Sequence, residues 1–112
     1  MKFRVALWVV LSATALPLSA VSVADPIFSG EYFYNFENSL LTPDGRKEEW
    51  CIDPRLMTRA MLPAKDGNGP WGTSHVVVRG QLGPPGRYGG LGRCTRVLTV
   101  TALVEVSNMR GH

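Results

Sequence analysis

The chain has 112 residues, with 12 Lys or Arg against 9 Asp or Glu, which gives a formal net charge of +3. Lys2 and Arg4 lie in a segment that is typical of a secretory signal, so the chain without that segment is close to neutral. Overall charge therefore supports no particular class of partner. The length allows one small domain, in which burial alone gives marginal stability.

Residues 1–24 have the three parts of a secretory signal. Lys2 and Arg4 precede an apolar run, and small residues end at Ala24. The apolar run is interrupted by polar residues and by Pro17, and it is shorter than the roughly 20 residues that span a bilayer. We expect cleavage after Ala24, a periplasmic or secreted location, and no membrane span in the mature form.

An aromatic strand is predicted at the start of the mature chain, over residues 27–36. Its apolar face includes Phe28, Tyr32, Tyr34 and Phe36. A core face is the favoured interpretation, because aromatic rings bury large areas, and a stacking platform for bases or sugar rings is the alternative. Residues 42–45 read Thr-Pro-Asp-Gly, which is typical of a tight turn, so a second strand is predicted over residues 46–52.

A short helix is predicted after Asp53 and Pro54. Aspartate accepts hydrogen bonds from the N–H groups of a first helical turn, and proline suits the first helical position. The following apolar residues fall at helical spacing: Leu56, Met57, Ala60 and Met61. Pro63 ends this pattern. Residues 64–71 then form a polar connector that is rich in turn residues.

Two apolar runs with the period of a strand enclose a loop over residues 83–93. The second run, residues 97–106, predicts the longest strand, and four of its residues are expected to face the core: Leu98, Val100, Val104 and Val106. The five glycines of the loop match neither a phosphate loop nor a dinucleotide fingerprint. Residues 107–112 have no pattern and are predicted to be a flexible tail.

Cys51 and Cys94 are the two cysteines of the chain. An exported chain meets an oxidising compartment, where two thiols usually pair, so a Cys51 to Cys94 disulfide is predicted. A metal pair or a reactive thiol is the alternative, but neither cysteine belongs to a C-x-x-C motif.

Charge is distributed unevenly along the mature chain. Residues 25–72 hold five basic and eight acidic residues, whereas residues 73–112 hold five arginines and one glutamate. Pairing of the two halves is the favoured interpretation, ahead of an anion-binding face. In the second interpretation the ligand-binding residues are Arg87, Tyr88 and Arg93, which suit an anionic or a glycan ligand.

Residues for catalysis or metal binding are sparse. The histidines are His75 and His112, so no metal site of ordinary ligand count is expected, and no cofactor. Ser74 adjoins His75, but neighbours in a strand point to opposite faces. No catalytic residue is assigned and the protein is not expected to be an enzyme. A small secreted hydrolase or nuclease, with its acid and base drawn from scattered residues, is the alternative.

Three stretches carry a family resemblance: Gly-Glu-Tyr-Phe-Tyr at 30–34, Val-Arg-Gly-Gln-Leu at 78–82, and the strand around Leu-Thr-Val at 98–100. They resemble small exported bacterial barrel proteins of the oligonucleotide/oligosaccharide-binding (OB) type, and more distantly the C-terminal domain of the envelope lipoprotein NlpE. The resemblance implies a cell-envelope role through binding, without catalysis, and it transfers no site residue.

The predicted fold is mainly β with one short helix, a small antiparallel OB-like barrel or bent sheet over residues 25–106. The sequence pattern lacks one of the strands that a complete barrel needs, so it does not decide whether the barrel closes. The predicted function is that of an exported binding or interaction module of the cell envelope. Its partner is an envelope protein or an anionic or glycan ligand, and no nucleic acid partner is expected.

Overall fold

A computed structural model of the chain describes residues 24–64 and 70–111. Residues 1–23 of the predicted signal lie outside the described part, and so do residues 65–69 of the predicted connector. Cleavage after Ala24 stays a prediction.

The described residues form a closed five-stranded barrel, so the predicted OB-like β fold is confirmed. Its strands are β1 (Ile27–Tyr34), β2 (Ser39–Pro43), β3 (Trp50–Ile52), β4 (Gly72–Leu82) and β5 (Arg96–Gly111). They follow one another around the barrel as β1-β2-β3-β5-β4, and β4 pairs with β1 to close it. Every neighbouring pair is antiparallel except β3 with β5, which is parallel.

The strand that the sequence pattern lacked is β2. A tight loop at residues 35–38 separates it from β1, where the side-chain oxygen of Asn35 accepts hydrogen bonds from the N–H groups of Glu37 and Asn38 at 2.8 and 2.7 Å. This side-chain turn reverses the chain without proline or glycine. The predicted turn at residues 42–45 is present, but the strand after it is limited to β3.

Two 3-10 turns, Pro54–Leu56 and Thr58–Ala60, occupy the region of the predicted helix. Asp53 caps the first turn as expected, since its side chain accepts a hydrogen bond from Arg55 N–H. The predicted inner residues Met57 and Ala60 are fully buried. An isolated short helix is only marginally stable in water, and here the packing of Met57 and Ala60 into the barrel stabilises the turns. In the described residues, none of the helical segments has the length and apolar character needed to cross a membrane.

The barrel interior contains most of the predicted apolar face of β1. Tyr32 and Tyr34 are fully buried, with ring centroids 5.5 Å apart, so they form core rather than a stacking platform. Their hydroxyls are hydrogen-bonded to Ser39 Oγ and Leu62 N–H. Burial raises the pKa of Tyr32 to about 12. Phe36 lies beyond the end of β1 and is 80 % exposed, so its predicted core position is wrong.

β5 is longer than predicted and bent by bulges. Its pairing with β4 shifts register at three points, and each shift changes which residues face inward. Leu98 and Val100 face the core as predicted, but Leu103 replaces Val104, which is 43 % exposed. The partly buried Val106 packs against the core.

The structure also differs from the predicted flexible tail. Residues 107–111 belong to β5 and pair with β4 as far as Gly72 opposite Gly111. The alternation that marks a strand is hidden there because a bulge near Asn108, with φ at 49°, interrupts it.

Candidate functional site

The Cys51 to Cys94 disulfide is present, as predicted, with the two Cα atoms 5.5 Å apart. It joins β3 to the end of the long loop between β4 and β5, on the outside of the barrel. Gly89 of this loop lies directly over the disulfide, since a Cβ atom there would be 2.8 Å from Cys51 Sγ. Its φ of 76° also favours glycine. A glycine is therefore required where the loop crosses the sulfurs.

Two glutamates before β3 hold the same loop by polar contacts. Arg93 donates two hydrogen bonds to the Glu49 carboxylate, at 2.9 and 3.0 Å. Thr95 donates from its hydroxyl to Glu48 at 3.0 Å. Hydrogen bonds from Arg46 and then Thr95 lower the pKa of Glu48 below its ordinary value. The acidic half and the basic half of the chain thus pair with each other here.

The three predicted ligand-binding residues lie in one loop, where Tyr88 pairs with Cys94 and Arg87 lies beside Gly92, but their side chains have different contacts. Arg93 is bound to Glu49 and lines a groove. The Tyr88 ring lies against Gly86, and its hydroxyl donates to the Pro84 carbonyl at 2.9 Å, so it stabilises the loop from within. Arg87 is exposed and makes no ion pair or hydrogen bond through its side chain with the described residues.

A groove with a volume of about 560 Å³ lies on the outer face of β2 and β3. We call it the β2–β3 groove. Its floor is apolar and contains Leu40 and the disulfide. The loop at residues 35–38 forms one wall, and residues 89–94 form the opposite wall.

The rim of the β2–β3 groove is polar but nearly balanced in charge. Arg93 is paired with Glu49, and Arg55 is paired with Asp53 at 2.6 Å, so both guanidinium groups on the rim are neutralised locally. Glu37 adds a carboxylate that has no hydrogen-bond partner for its side chain among the described residues.

An aromatic ring and an amide complete the wall next to β2. The exposed ring of Phe36 lines the groove at the tip of its loop. The Asn35 side-chain oxygen is occupied within that loop, whereas its amide nitrogen donates no hydrogen bond to the described residues. The groove therefore offers an apolar floor, a flat ring and a free donor.

Groups that could act in catalysis are held apart. Ser74 is fully buried, whereas His75 faces outward and bonds Asp44 at 2.9 Å, so the two neighbours do point apart. Ser29 also donates to Asp44, at 2.8 Å, rather than to the histidine that would have to activate it. Within residues 24–64 and 70–111, no three His, Cys, Asp or Glu side chains are grouped closely enough to hold a metal ion.

Sequence reasoning missed the wall at residues 35–38. Asn35, Phe36 and Asn38 lie at the end of the predicted aromatic strand and just after it. Because Phe36 continues the alternation of aromatic residues in that strand, it was predicted to face the core. The two asparagines that flank residues 36 and 37 could have indicated this loop, because asparagine favours turns in which its side chain bonds the backbone.

Comparisons with family models, with curated proteins and with solved structures give no match for this chain.

Proposed function

We propose that this protein is an exported binding module of the cell envelope that takes its ligand in the β2–β3 groove. The position of the groove carries the proposal. OB-type barrels bind oligonucleotides and oligosaccharides on the face of strands 2 and 3, between the loops that follow strands 1 and 4. The β2–β3 groove has this position, with the residues 35–38 and 89–94 as its two walls.

The chemistry of the groove favours a neutral sugar chain. A polyanion needs cations that are free to contact phosphate, and both rim guanidinium groups are already paired with carboxylates. A sugar ring presents one apolar face and several hydroxyls. The exposed Phe36 ring suits the face, and the free amide of Asn35 suits the hydroxyls.

The disulfide supports export. Disulfides persist in oxidising compartments and are rare where thiols are kept reduced. Cys51 and Cys94 also line the groove, so the shape of the groove includes their disulfide. That disulfide forms in an oxidising compartment.

Titration of the isotopically labelled, disulfide-bonded protein with N-acetylglucosamine oligomers tests the proposal by NMR. We expect amide shifts confined to residues 35–40 and 89–94, with little change when salt is raised, because no net charge is neutralised on binding. A sulfated oligosaccharide of the same length should bind more weakly. Shifts absent at millimolar oligomer, or confined to another face, would contradict the proposal.

Two matched variants assign the role of the ring. Phe36→Ala should weaken binding about tenfold, or about 1.4 kcal/mol, because the ring then no longer packs against the apolar face of a sugar. Ile27→Ala removes another exposed apolar side chain, which lies on β1 and does not line the groove, and should leave binding unchanged. Equal effects of the two variants would show that general apolar exposure, rather than the groove, holds the ligand.

A further inference from the structure

Strand β5 has a long side without a neighbouring strand. β4 pairs with one side of β5 from Leu98 to Gly111, but β3 pairs with the other side only over residues 96–98. Among the described residues, no strand lies along residues 99–111 on that side. Proteins usually protect such an edge with lysine, proline or a covering segment, because its free N–H and C=O groups pair with any added strand.

The edge is protected at one point by an arginine. Arg59 donates from its guanidinium to the Leu103 carbonyl at 2.7 Å. This contact leaves residues 104–111 as the open part of the edge. No residue of that segment is fully buried, although Val106 is partly buried against the core, and Val104 is among the exposed large apolar side chains of the barrel.

The open segment carries one acidic and one basic side chain on the same face. In the pairing with β4, Glu105 lies opposite Val77 and Arg110 lies opposite Thr73. Residues 73 and 77 alternate with the buried residues of β4, so Glu105 and Arg110 both face outward. Neither side chain makes a hydrogen bond or an ion pair with the described residues.

We propose that the edge at residues 104–111 is the contact surface for a second copy of this chain, paired antiparallel about a two-fold axis between Ser107 and Asn108. This arrangement places each Glu105 opposite the second copy's Arg110, twice in the dimer. Parallel pairing in register would instead place like charges together. The contact is isologous, the type that closes at two copies.

A cavity beside the edge accommodates the contact. It has a volume of about 700 Å³ and is lined by Arg59, Val77, Val104 and Glu105 among others. The second copy's Arg110 enters this space when it reaches Glu105. The bulge at Asn108 lies at the axis, so the added hydrogen bonds form two equivalent groups on either side of it.

The dimer is expected to be weak. A short strand edge buries less than the roughly 800 Å² per partner of a standard interface, so we expect a dissociation constant in the micromolar range or above. This inference does not depend on the proposed sugar site, since the groove is formed by β2, β3 and the loops.

Sedimentation of the disulfide-bonded protein from micromolar to millimolar concentration tests the proposal. We expect a monomer to dimer transition, weakened at least about tenfold by Glu105→Arg or by Arg110→Glu alone, because like charges then face each other. A mixture of the two single variants should dimerise as well as the native protein, since every facing pair is then of opposite sign. The variant with both changes should also dimerise normally.

Lys47→Glu is the matched control, because Lys47 is exposed, lies between β2 and β3 rather than on β5, and lacks a side-chain partner among the described residues. It should leave the transition unchanged, and the thermal unfolding of each variant confirms that it is folded. A native protein that stays monomeric throughout would overturn the proposal. So would a mixture of single variants that dimerises no better than either one.

Discussion

Leu40 and Leu41 are neighbours on β2, and both are buried, but different parts of the molecule bury them. Leu41 lies inside the barrel with the other core residues. Leu40 faces outward, on the side of Cys51, in the floor of a groove that has as one wall a loop held by one disulfide and a few polar contacts. The interior depends on many apolar contacts between strands. The outer face depends on a small number of identifiable bonds, each of which can be removed separately.

The interior should show the largest effect. Val100→Asp places an unpaired carboxylate in the core, which costs several kcal/mol, a large part of the stability of so small a domain. Thr101→Asp changes an exposed residue that donates to Asp25, so its effect should be much smaller. Urea unfolding measures both. Equal losses would mean that the inner and outer faces of β5 are assigned wrongly.

The bulge in β5 gives a second comparison within the interior. Leu103→Asp should destabilise the barrel more than Val104→Asp, because Leu103 packs against the core and Val104 is exposed. Strict alternation from Val100 predicts the opposite order. Unfolding midpoints of the two variants therefore report directly on the register shift.

Loss of the disulfide should have the next largest effect. Replacing Cys51 and Cys94 together by serine should lower the free energy of unfolding by about 2–5 kcal/mol, the usual range for a native disulfide in a small secreted domain. Thiol titration of the native protein under denaturant should find no free thiol. A reductant should destabilise the native protein but leave the serine variant unchanged.

The glycine over the disulfide should have an intermediate effect. Gly89→Ala forces a Cβ to within 2.8 Å of Cys51 Sγ at a φ of 76°, so we expect a loss of about 1–3 kcal/mol. Gly90→Ala is the control, because its Cβ would meet nothing within 4 Å. If the two variants unfold at the same temperature, the loop does not press on the disulfide.

The sequence predicts the interior better than the outer face, for a physical reason. Alternation of apolar residues marks the inward side of β1, β4 and the first half of β5, and these residues are buried. A bulge adds one residue to the strand and therefore inverts the alternation after it, as at Val104. No residue type in the sequence marks the position of this bulge. The short β2 was hidden because an asparagine, rather than proline or glycine, makes the turn before it.

The outer face could not be predicted from the sequence, because it is formed by segments that are far apart along the chain. Arg93 was predicted to contact a ligand, but its position opposite Glu49 exists only when residues 46–49 and the long loop meet. The same holds for the β2–β3 groove, whose two walls are about fifty residues apart in the sequence. The disulfide could be predicted because cysteine count and compartment fix it without any geometry.

Arginines of the loop should have small effects. Arg93→Ala removes a partly exposed bidentate ion pair and should lower the free energy of unfolding by at most about 1 kcal/mol. Arg87→Ala removes no hydrogen bond or ion pair with the described residues and should change the free energy of unfolding by less than about 0.5 kcal/mol. Chemical unfolding compares them, with Glu49→Gln as the partner variant. A larger loss for Arg87→Ala than for Arg93→Ala would mean that Arg87 stabilises the loop more than the ion pair of Arg93 with Glu49 does.

Acid should weaken the outer face through Glu48. Because Arg46 and Thr95 lower its pKa in the folded protein, the bonds of its carboxylate stabilise the fold above its ordinary pKa of 4.5. That contribution is lost as the pH falls through the lowered value. A carbon-detected NMR titration should find the pKa of Glu48 below 4.5. It should move back towards 4.5 more in Arg46→Ala than in Thr95→Val, since the bond from Arg46 is the larger cause. The reverse order would assign the main stabilisation of Glu48 to the loop rather than to its neighbour in the chain.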